Sequence, residues 1–432
     1  MTAADEPTEH RGTGGTGDTG HTGHAGGPQL GRARIAVAAV FCAHGAVTGS
    51  FATRIPWIQE HAGVSAGQLG FALAFPAFGG LLAMPMAGAV SHRYGEGRAL
   101  RVLLVLWTLA LVLPGYAPNF VALCGALFFY GAAAGMSAVV MNALGVETEA
   151  RLGRSIMSGL HGMWSVGVLV GSVGGTVAAH FGTDARVHHG LASAGLTVCG
   201  LLACRGALGI RSQPDTEPPP RFAAPPKTAV LIGAVAFCSV FAEGASLDWS
   251  AVYLRDVLGT SPGLAAATTT AFVLTMALAR LAGDKVIDRF GAVRTVRGGG
   301  VLAGLGGLLV ISAPSAAVTM AGFGLLGLGV AVVVPVAYVA AARSGPAPSQ
   351  AIAGVATITY ASGLIAPSAI GGIADLTSLT VSFGLVTALA FGLTLGAGIL
   401  RPGKRASATT DGPAAGDGRD AVAPAAPERR KP

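Results

Sequence analysis

Charge is what this chain has least of. Only 11% of its 432 residues are Asp, Glu, Lys or Arg, against about a quarter in an ordinary soluble domain. Hydrophobic residues make up 52%, and mean hydropathy is +0.61. A soluble globule of this size cannot hide so much apolar surface, so lipid must be the solvent for much of the chain. Cysteine is scarce as well. Cys42, Cys124, Cys199, Cys204 and Cys238 all sit in apolar runs without metal-ligand spacing. Cys199 and Cys204 share one expected helix, which argues against a disulfide between them, and all five read as core filler. A P-loop, a dinucleotide fingerprint, an HExxH pair and a Cys/His cluster are missing. No cofactor or metal is therefore expected, and uphill work would have to draw on an ion gradient. The apolar runs lack the polar alternation of an outer-membrane strand. The first thirty residues lack the apolar core of a cleavable signal, and His10, His21 and His24 read as incidental to a disordered tail.

What the sequence does contain is twelve apolar runs, each near the ~20 residues that a helix needs to cross hydrocarbon. They fall near 34–54, 68–90, 99–117, 119–146, 155–179, 189–209, 229–252, 263–284, 298–313, 316–341, 351–373 and 380–400. Between the sixth and seventh, RSQPDTEPPPRFAAPPK carries the prolines and charges of a linker. The expected organisation is an all-α membrane protein of two pseudo-symmetric six-helix bundles, 33–210 and 229–401. A cytoplasmic linker, 211–228, joins them, and disordered tails, 1–32 and 402–432, flank them.

Basic residues orient the spans. If both termini are cytoplasmic, only Arg54, Arg186 and Arg255 of the 28 Lys and Arg residues lie outside. The reverse orientation breaks the positive-inside rule at nearly every loop. A multi-pass plasma-membrane protein with both ends in the cytoplasm is expected. On this reading the net charge of +7 reflects topology, and no nucleic-acid partner is implied.

A basic loop recurs. HRYGEGRALR follows the second run and DRFGAVRTVR follows the eighth. Both read Arg, aromatic, Gly, two residues, Arg, two residues, Arg. An offset of 196 residues separates Arg93 from Arg289, and likewise Trp164 and Gly167 from Tyr360 and Gly363. Two related bundles joined by a linker suit rocking about a shared central site. On these features the chain resembles the major facilitator superfamily over roughly 32–401. The family's cytoplasmic loop signature runs Gly, three residues, Asp, Arg, one residue, Gly. Asp288, Arg289 and Gly291 carry the second copy. Gly88, Arg93 and Gly95 carry the first, with His92 where the signature has Asp. The resemblance implies that the Asp latches the inner gate. His92 is then either a degenerate loop position or a pH sensor. Drug exporters of the family carry a basic residue in span four and a Pro in span five. Here span four has no basic residue, and Ser172 stands in for the Pro. SGLHGMWSVG and FAEGASLDWSAVYL look closer to the branch near sugar–proton symporters.

The candidate site residues are few. Glu243 lies about 20 Å along the seventh helix, past the middle of a hydrocarbon core ~30 Å thick. A carboxylate there is either a proton carrier or part of a helix–helix hydrogen bond. Asp248, about 140° around the same helix, cannot pair with it. With Trp249, Tyr253 and the more distant Arg54, Asp248 is assigned to an outer gate or interface. His44 lies about 15 Å along span one. The resemblance implies that spans one, four, seven and ten line the cavity, with five, eight and eleven close behind. His44 is thus a candidate for substrate or proton binding, and His161 with Trp164, on one helix face, for substrate stacking. Asn142 and Tyr338 are further polar candidates. Arg280 and Asp284, at i and i+4, are expected to form a cytoplasmic charge network with Asp288 and Arg289, and Glu147, Arg151 and Arg154 repeat that theme. The expected function is alternating-access transport of a small sugar-like or polar solute by a monomer in the bilayer, coupled to protons. Drug efflux on the same fold is the alternative, and a non-transporting receptor is the rival from another class. An enzyme is not expected, because no nucleophile, base or metal set converges at one depth.

Overall fold

The chain was analysed as a computed structural model, which describes residues 27–153, 156–207, 227–312, 314–344 and 348–401. Every regular element among the described residues is a helix. Twelve helical stretches are long and apolar enough to cross a membrane. Spans one to six are Leu30–Ala52, Ala66–Tyr94, Gly97–Tyr116, Phe120–Leu152, Gly159–His180 and Ala185–Arg205. Spans seven to twelve are Lys227–Asp256, Pro262–Phe290, Ala292–Ser312, Ala316–Ala342, Gly354–Leu376 and Leu379–Leu400. The twelve runs read from hydropathy are these twelve spans, with shifted edges. Span seven continues past 252 to Asp256, and span eight past 284 to Phe290. The first helix begins at Gly27, inside the segment expected to be tail. The tail histidines, most of the 211–228 linker, Arg154 and residues 402–432 lie outside the described residues.

Local chemistry explains where these helices start and stop. The Asn119 side chain accepts from the Ala122 amide at 3.0 Å, and Ser261 from the Leu264 amide at 3.4 Å. Ser65 and Gln68 form a reciprocal capping box. Each cap satisfies amides that the first turn of a helix leaves unpaired. Gly95 and Gly291 end spans two and eight at φ 78° and 79°, a region where a side chain is strained. Just before them Arg93 lies 5.5 Å from the Tyr94 ring centroid, and Arg289 lies 5.6 Å from that of Phe290. The sequence repeat is therefore a repeat of geometry.

Prolines break two spans. Span two is interrupted at Ala74, just before Pro76. Span ten is interrupted between Val330 and Val333. Pro335 has no N–H to offer the Ala331 carbonyl one turn back. Side chains from neighbouring spans use the carbonyls freed here. Ser239 of span seven donates to Val330 O at 3.1 Å, and Arg280 Nε of span eight donates to Ala331 O at 3.4 Å.

Within the first six spans, one packs closely on five, as two does on four through Gly131 and Pro76. A Cβ at Gly167 would overlap the Cys42 carbonyl, and one at Gly171 the Ala46 carbonyl. In the second six, spans nine and ten touch backbone to backbone through Gly299 with Gly329 and Gly306 with Gly322. Such small residues replace a hydrophobic driving force that lipid does not supply. Large apolar side chains such as Phe129, Leu81 and Leu278 remain on the outer surface, where acyl chains solvate them. Cys199 is exposed there too, rather than core filler.

Between the two six-span groups the recorded contacts gather toward one end. Ser65 Oγ donates to Asp375 Oδ2 at 2.8 Å, and Arg255 lies 3.5 Å from Glu60. Thr176 and Thr270 share a hydrogen bond of 2.8 Å. The backbones of Gly70 and Gly371 touch, as do those of Gly263 and His180. The deepest of these approaches joins Gly363 to Ala77. Among the described residues no hydrogen bond or ion pair crosses between the groups nearer the Arg93 and Arg289 loops. The structure is sealed at the Ser65 end.

Candidate functional site

The chain's scarce charges meet inside the bundle. Both carboxylate oxygens of Glu243 accept from Arg280 Nη2, each at 2.9 Å. Neither side chain is fully enclosed, at 20% exposed for Glu243 and 26% for Arg280. Sequence spacing pairs Arg280 with Asp284 at the helix end, and the structure corrects this. Span eight runs ten residues past Arg280 to Phe290, which sets the guanidinium about 15 Å in from that end. There the partner within reach is Glu243, and the Ala331 carbonyl freed by Pro335 is a second acceptor. Asp284, Asp288 and Arg289 are exposed and make no ion pair among the described residues. Across the gap between the halves, the exposed His161 lies within electrostatic reach of Arg280, with its ring edge-on to Phe41 at 5.5 Å.

His44 is bound up in an aromatic knot. Trp164 Nε1 donates to His44 Nδ1 at 3.3 Å, and the Nε2 side of the ring faces Ser137 Oγ at 3.1 Å and Ala134 O at 3.4 Å. Accepting at Nδ1 leaves the ring's proton on Nε2, which assigns a neutral imidazole. Trp107 stacks on His44 with centroids 5.0 Å apart and donates its N–H to the His44 carbonyl at 3.3 Å. Tyr130 packs on Trp107 at 4.3 Å. Spans one, three, four and five are thereby tied together. Both ring nitrogens of His44 are engaged with the protein. Trp164 joins His44, so His161 and Trp164 serve different neighbours although they share a helix face.

Asp248 and Trp249 lie two turns short of the end of their helix. Span seven continues to Asp256, which draws both inward from the expected helix end. Trp249 is fully buried, and the Tyr253 hydroxyl donates to Val310 O at 2.9 Å inside the second group of spans. Asp248 is half-buried, faces Tyr130 across the gap, and has no hydrogen bond or ion pair among the described residues. At the sealed end Trp57 and Tyr116 each lie 5.4 Å from the Arg186 guanidinium. Arg54 is buried at that end and donates to Thr183 O. Asn142 is half-buried and turns back to Ala138 O at 2.8 Å. Tyr338 is half-buried near Tyr360. His92, Arg93 and Gly95 are exposed, and Gly88 has open space around it.

Sequence reasoning passed over Trp107, Tyr130, Ser137 and the Ser65–Asp375 contact. A lone aromatic in an apolar run gives no sign of what it will stack on. Asp375 lies 310 residues from its partner, so spacing carries no trace of the contact. Among the described residues no three His, Cys, Asp or Glu side chains group as metal ligands.

Comparison with known proteins supplies the family. The model of the Major Facilitator Superfamily matches residues 37–234 and again 230–431. An uncharacterized transporter of Sinorhizobium fredii is 34% identical over 353 residues, covering 81% of this chain and 93% of its own length. The membrane protein MosC of Rhizobium meliloti is 30% identical, covering 80% of this chain and 84% of its own length. Among solved structures, the nucleoside transporter NupG superposes with a TM-score of 0.68 at 10% identity, covering 85% of this chain and 99% of that one. A D-xylose–proton symporter superposes with a TM-score of 0.66 at 13% identity, covering 86% and 97%. At such identities these two likenesses speak for the fold alone. Two matching halves, twelve spans and these relatives make the protein a transporter rather than an enzyme, and the chain belongs to the major facilitator superfamily.

Proposed function

We propose that this transporter moves a small polar solute, of the sugar-like class, by proton-coupled alternating access between its two six-helix halves, 33–210 and 229–401. It works as a monomer in the plasma membrane, with the Arg93 and Arg289 loops and both termini in the cytoplasm. On that orientation the sealed end faces outward.

One observation carries the coupling claim. Asp248 is a half-buried carboxylate that faces the opposite half, and no protein group pairs with it among the described residues. A charge inside a membrane protein needs a partner, water or a proton. Glu243 has Arg280, so Asp248 is the better proton carrier. Glu243, Arg280, His161, Asn142 and Tyr338 offer donors and acceptors to hydroxyl groups of a solute entering from the open end. Glycines at the Gly70–Gly371 and Gly263–His180 approaches let backbones meet at that end, and the side-chain bonds across it, Ser65–Asp375, Arg255–Glu60 and Thr176–Thr270, are few and polar.

The test is solute flux in proteoliposomes across a panel of sugars and polyols, with and without an imposed proton gradient. Asp248→Asn should retain exchange of solute across the membrane while losing gradient-driven accumulation. Accumulation that survives in Asp248→Asn with unchanged pH dependence removes Asp248 from the coupling. Flux indifferent to the gradient in the parent protein removes the coupling itself.

A further inference from the structure

At the sealed end, away from the Glu243–Arg280 pair, lies a second polar cluster that the transport reading does not use. Arg54 follows span one, and His188 and His189 lie in the first turns of span six. All three are more than nine-tenths buried, at 3%, 8% and 0% exposed. Arg54 spends one nitrogen on the Thr183 carbonyl. Its Nε and Nη1, the Nδ1 of His188 and both ring nitrogens of His189 have no partner among the described residues. The two imidazoles sit 5.3 Å apart, and both are within electrostatic reach of Arg54. The Ser50 carbonyl is near His189 without meeting hydrogen-bond geometry. Thr53, whose hydroxyl is turned to the Gly49 and Ser50 carbonyls, closes the cluster against Gly175 of span five and the His188 ring.

The lining is rich in donors. The unused Nε and Nη1 of Arg54 carry three N–H bonds, and each neutral histidine adds one. Asp184 is the carboxylate in electrostatic range. It makes no ion pair with Arg54 among the described residues, and its Oδ1 accepts from the Arg186 amide at 2.7 Å. A buried guanidinium without a close counter-charge is costly. A water could accept two of these bonds and would then need acceptors for its own hydrogens, whereas an anion only accepts. We propose that Arg54, His188 and His189 bind a small monovalent anion of the halide class. The enclosure by Thr53 and Gly175 favours a single-atom ion over an oxyanion. The bound ion ties span one to span six and to the Thr183 turn that follows span five. It thus steadies the outer end of span five, where His180 meets Gly263 of the other half.

The test uses the purified full chain. Its unfolding temperature is measured as chloride replaces gluconate at fixed ionic strength and pH. A ligand of the folded state raises stability with the logarithm of its concentration, so a rise of several degrees across the millimolar range is expected. Bromide should substitute for chloride and sulfate should not. Arg54→Gln should abolish the anion dependence, and His189→Gln should move its midpoint to higher chloride. Crystals of the unaltered protein grown in bromide should show an anomalous peak between Arg54 and His189, a readout that needs no variant to fold. A melting temperature indifferent to halide, a dependence that persists in Arg54→Gln, or bromide crystals without that peak would overturn the site and leave a hydrated cluster only.

Discussion

The two halves of this transporter share a repeat and spend it differently. At an offset of 196 residues, Trp164 corresponds to Tyr360 and Gly167 to Gly363. In the first half Trp164 is drawn into the His44 knot, and Gly167 touches the Cys42 backbone. In the second half Tyr360 is 56% exposed, and a Cβ at Gly363 would meet only Ala77, at 3.5 Å. The second half instead holds the Glu243–Arg280 pair, supported by the proline break in span ten. Both halves have an aromatic core, with Tyr253, Phe323 and Phe383 stacked edge to face in the second. In the first the repeat position joins that core, while in the second it stays exposed and the charges of Glu243 and Arg280 lie nearby. Equivalent positions in a repeat thus share a backbone without sharing a role.

The largest expected effect comes from breaking the charged half. Glu243→Gln or Arg280→Gln should lower solute flux by at least about 100-fold and cost on the order of 3 kcal/mol, because the remaining charge is left unpaired in a poorly hydrated site. The double variant Glu243→Gln/Arg280→Gln should recover most of that stability and little of the flux. Equal stability in all three would show that the pair is not a structural element.

The glycine seam gives the next effect. Gly167→Ala should destabilise by about 2 kcal/mol, since its methyl group forces the span one backbone away. Its repeat mate Gly363→Ala should be neutral or stabilising by up to ~1 kcal/mol through helix propensity. Thermal unfolding of the two variants side by side decides whether close approach at this repeat position belongs to span five and not to span eleven.

A smaller difference is expected at the aromatic mates. Trp164→Phe removes a donor and leaves His44 Nδ1 unpaired, at a cost of about 1 kcal/mol. Tyr360→Phe should leave stability unchanged. Matching losses at both positions would mean that the knot adds nothing beyond side-chain bulk. The loop copies should differ least. His92→Asp, which restores the residue found in the second copy, should change stability by less than ~0.5 kcal/mol at an exposed site. Its effect, if the loop acts as a gate, is on the rate of solute exchange at pH 6 against pH 8.

Most of the architecture was legible because the membrane simplifies the code. Backbone groups in hydrocarbon must bond within the helix, so run length and hydropathy mark twelve spans directly. The Gly95 and Gly291 turns were readable because only glycine accepts their φ without strain. Helix ends were less legible. Spans seven and eight run further than their apolar stretches, since a helix continues through polar residues that reach water. That extension is why Asp248 and Arg280 lie two turns or more short of their helix ends, and why Trp249 is buried.

The sequence by itself determined the solvent, the number of spans, the twofold repeat and the identity of the few polar residues inside the spans. Those properties are local, or they follow from composition. Which charge meets which was decided by the tertiary structure. Glu243 finds Arg280, His44 finds Trp164, and Asp248 is left facing Tyr130 across the gap. Such pairings depend on how long helices rotate and cross, and that is set by glycine contacts and proline breaks acting together across distant segments.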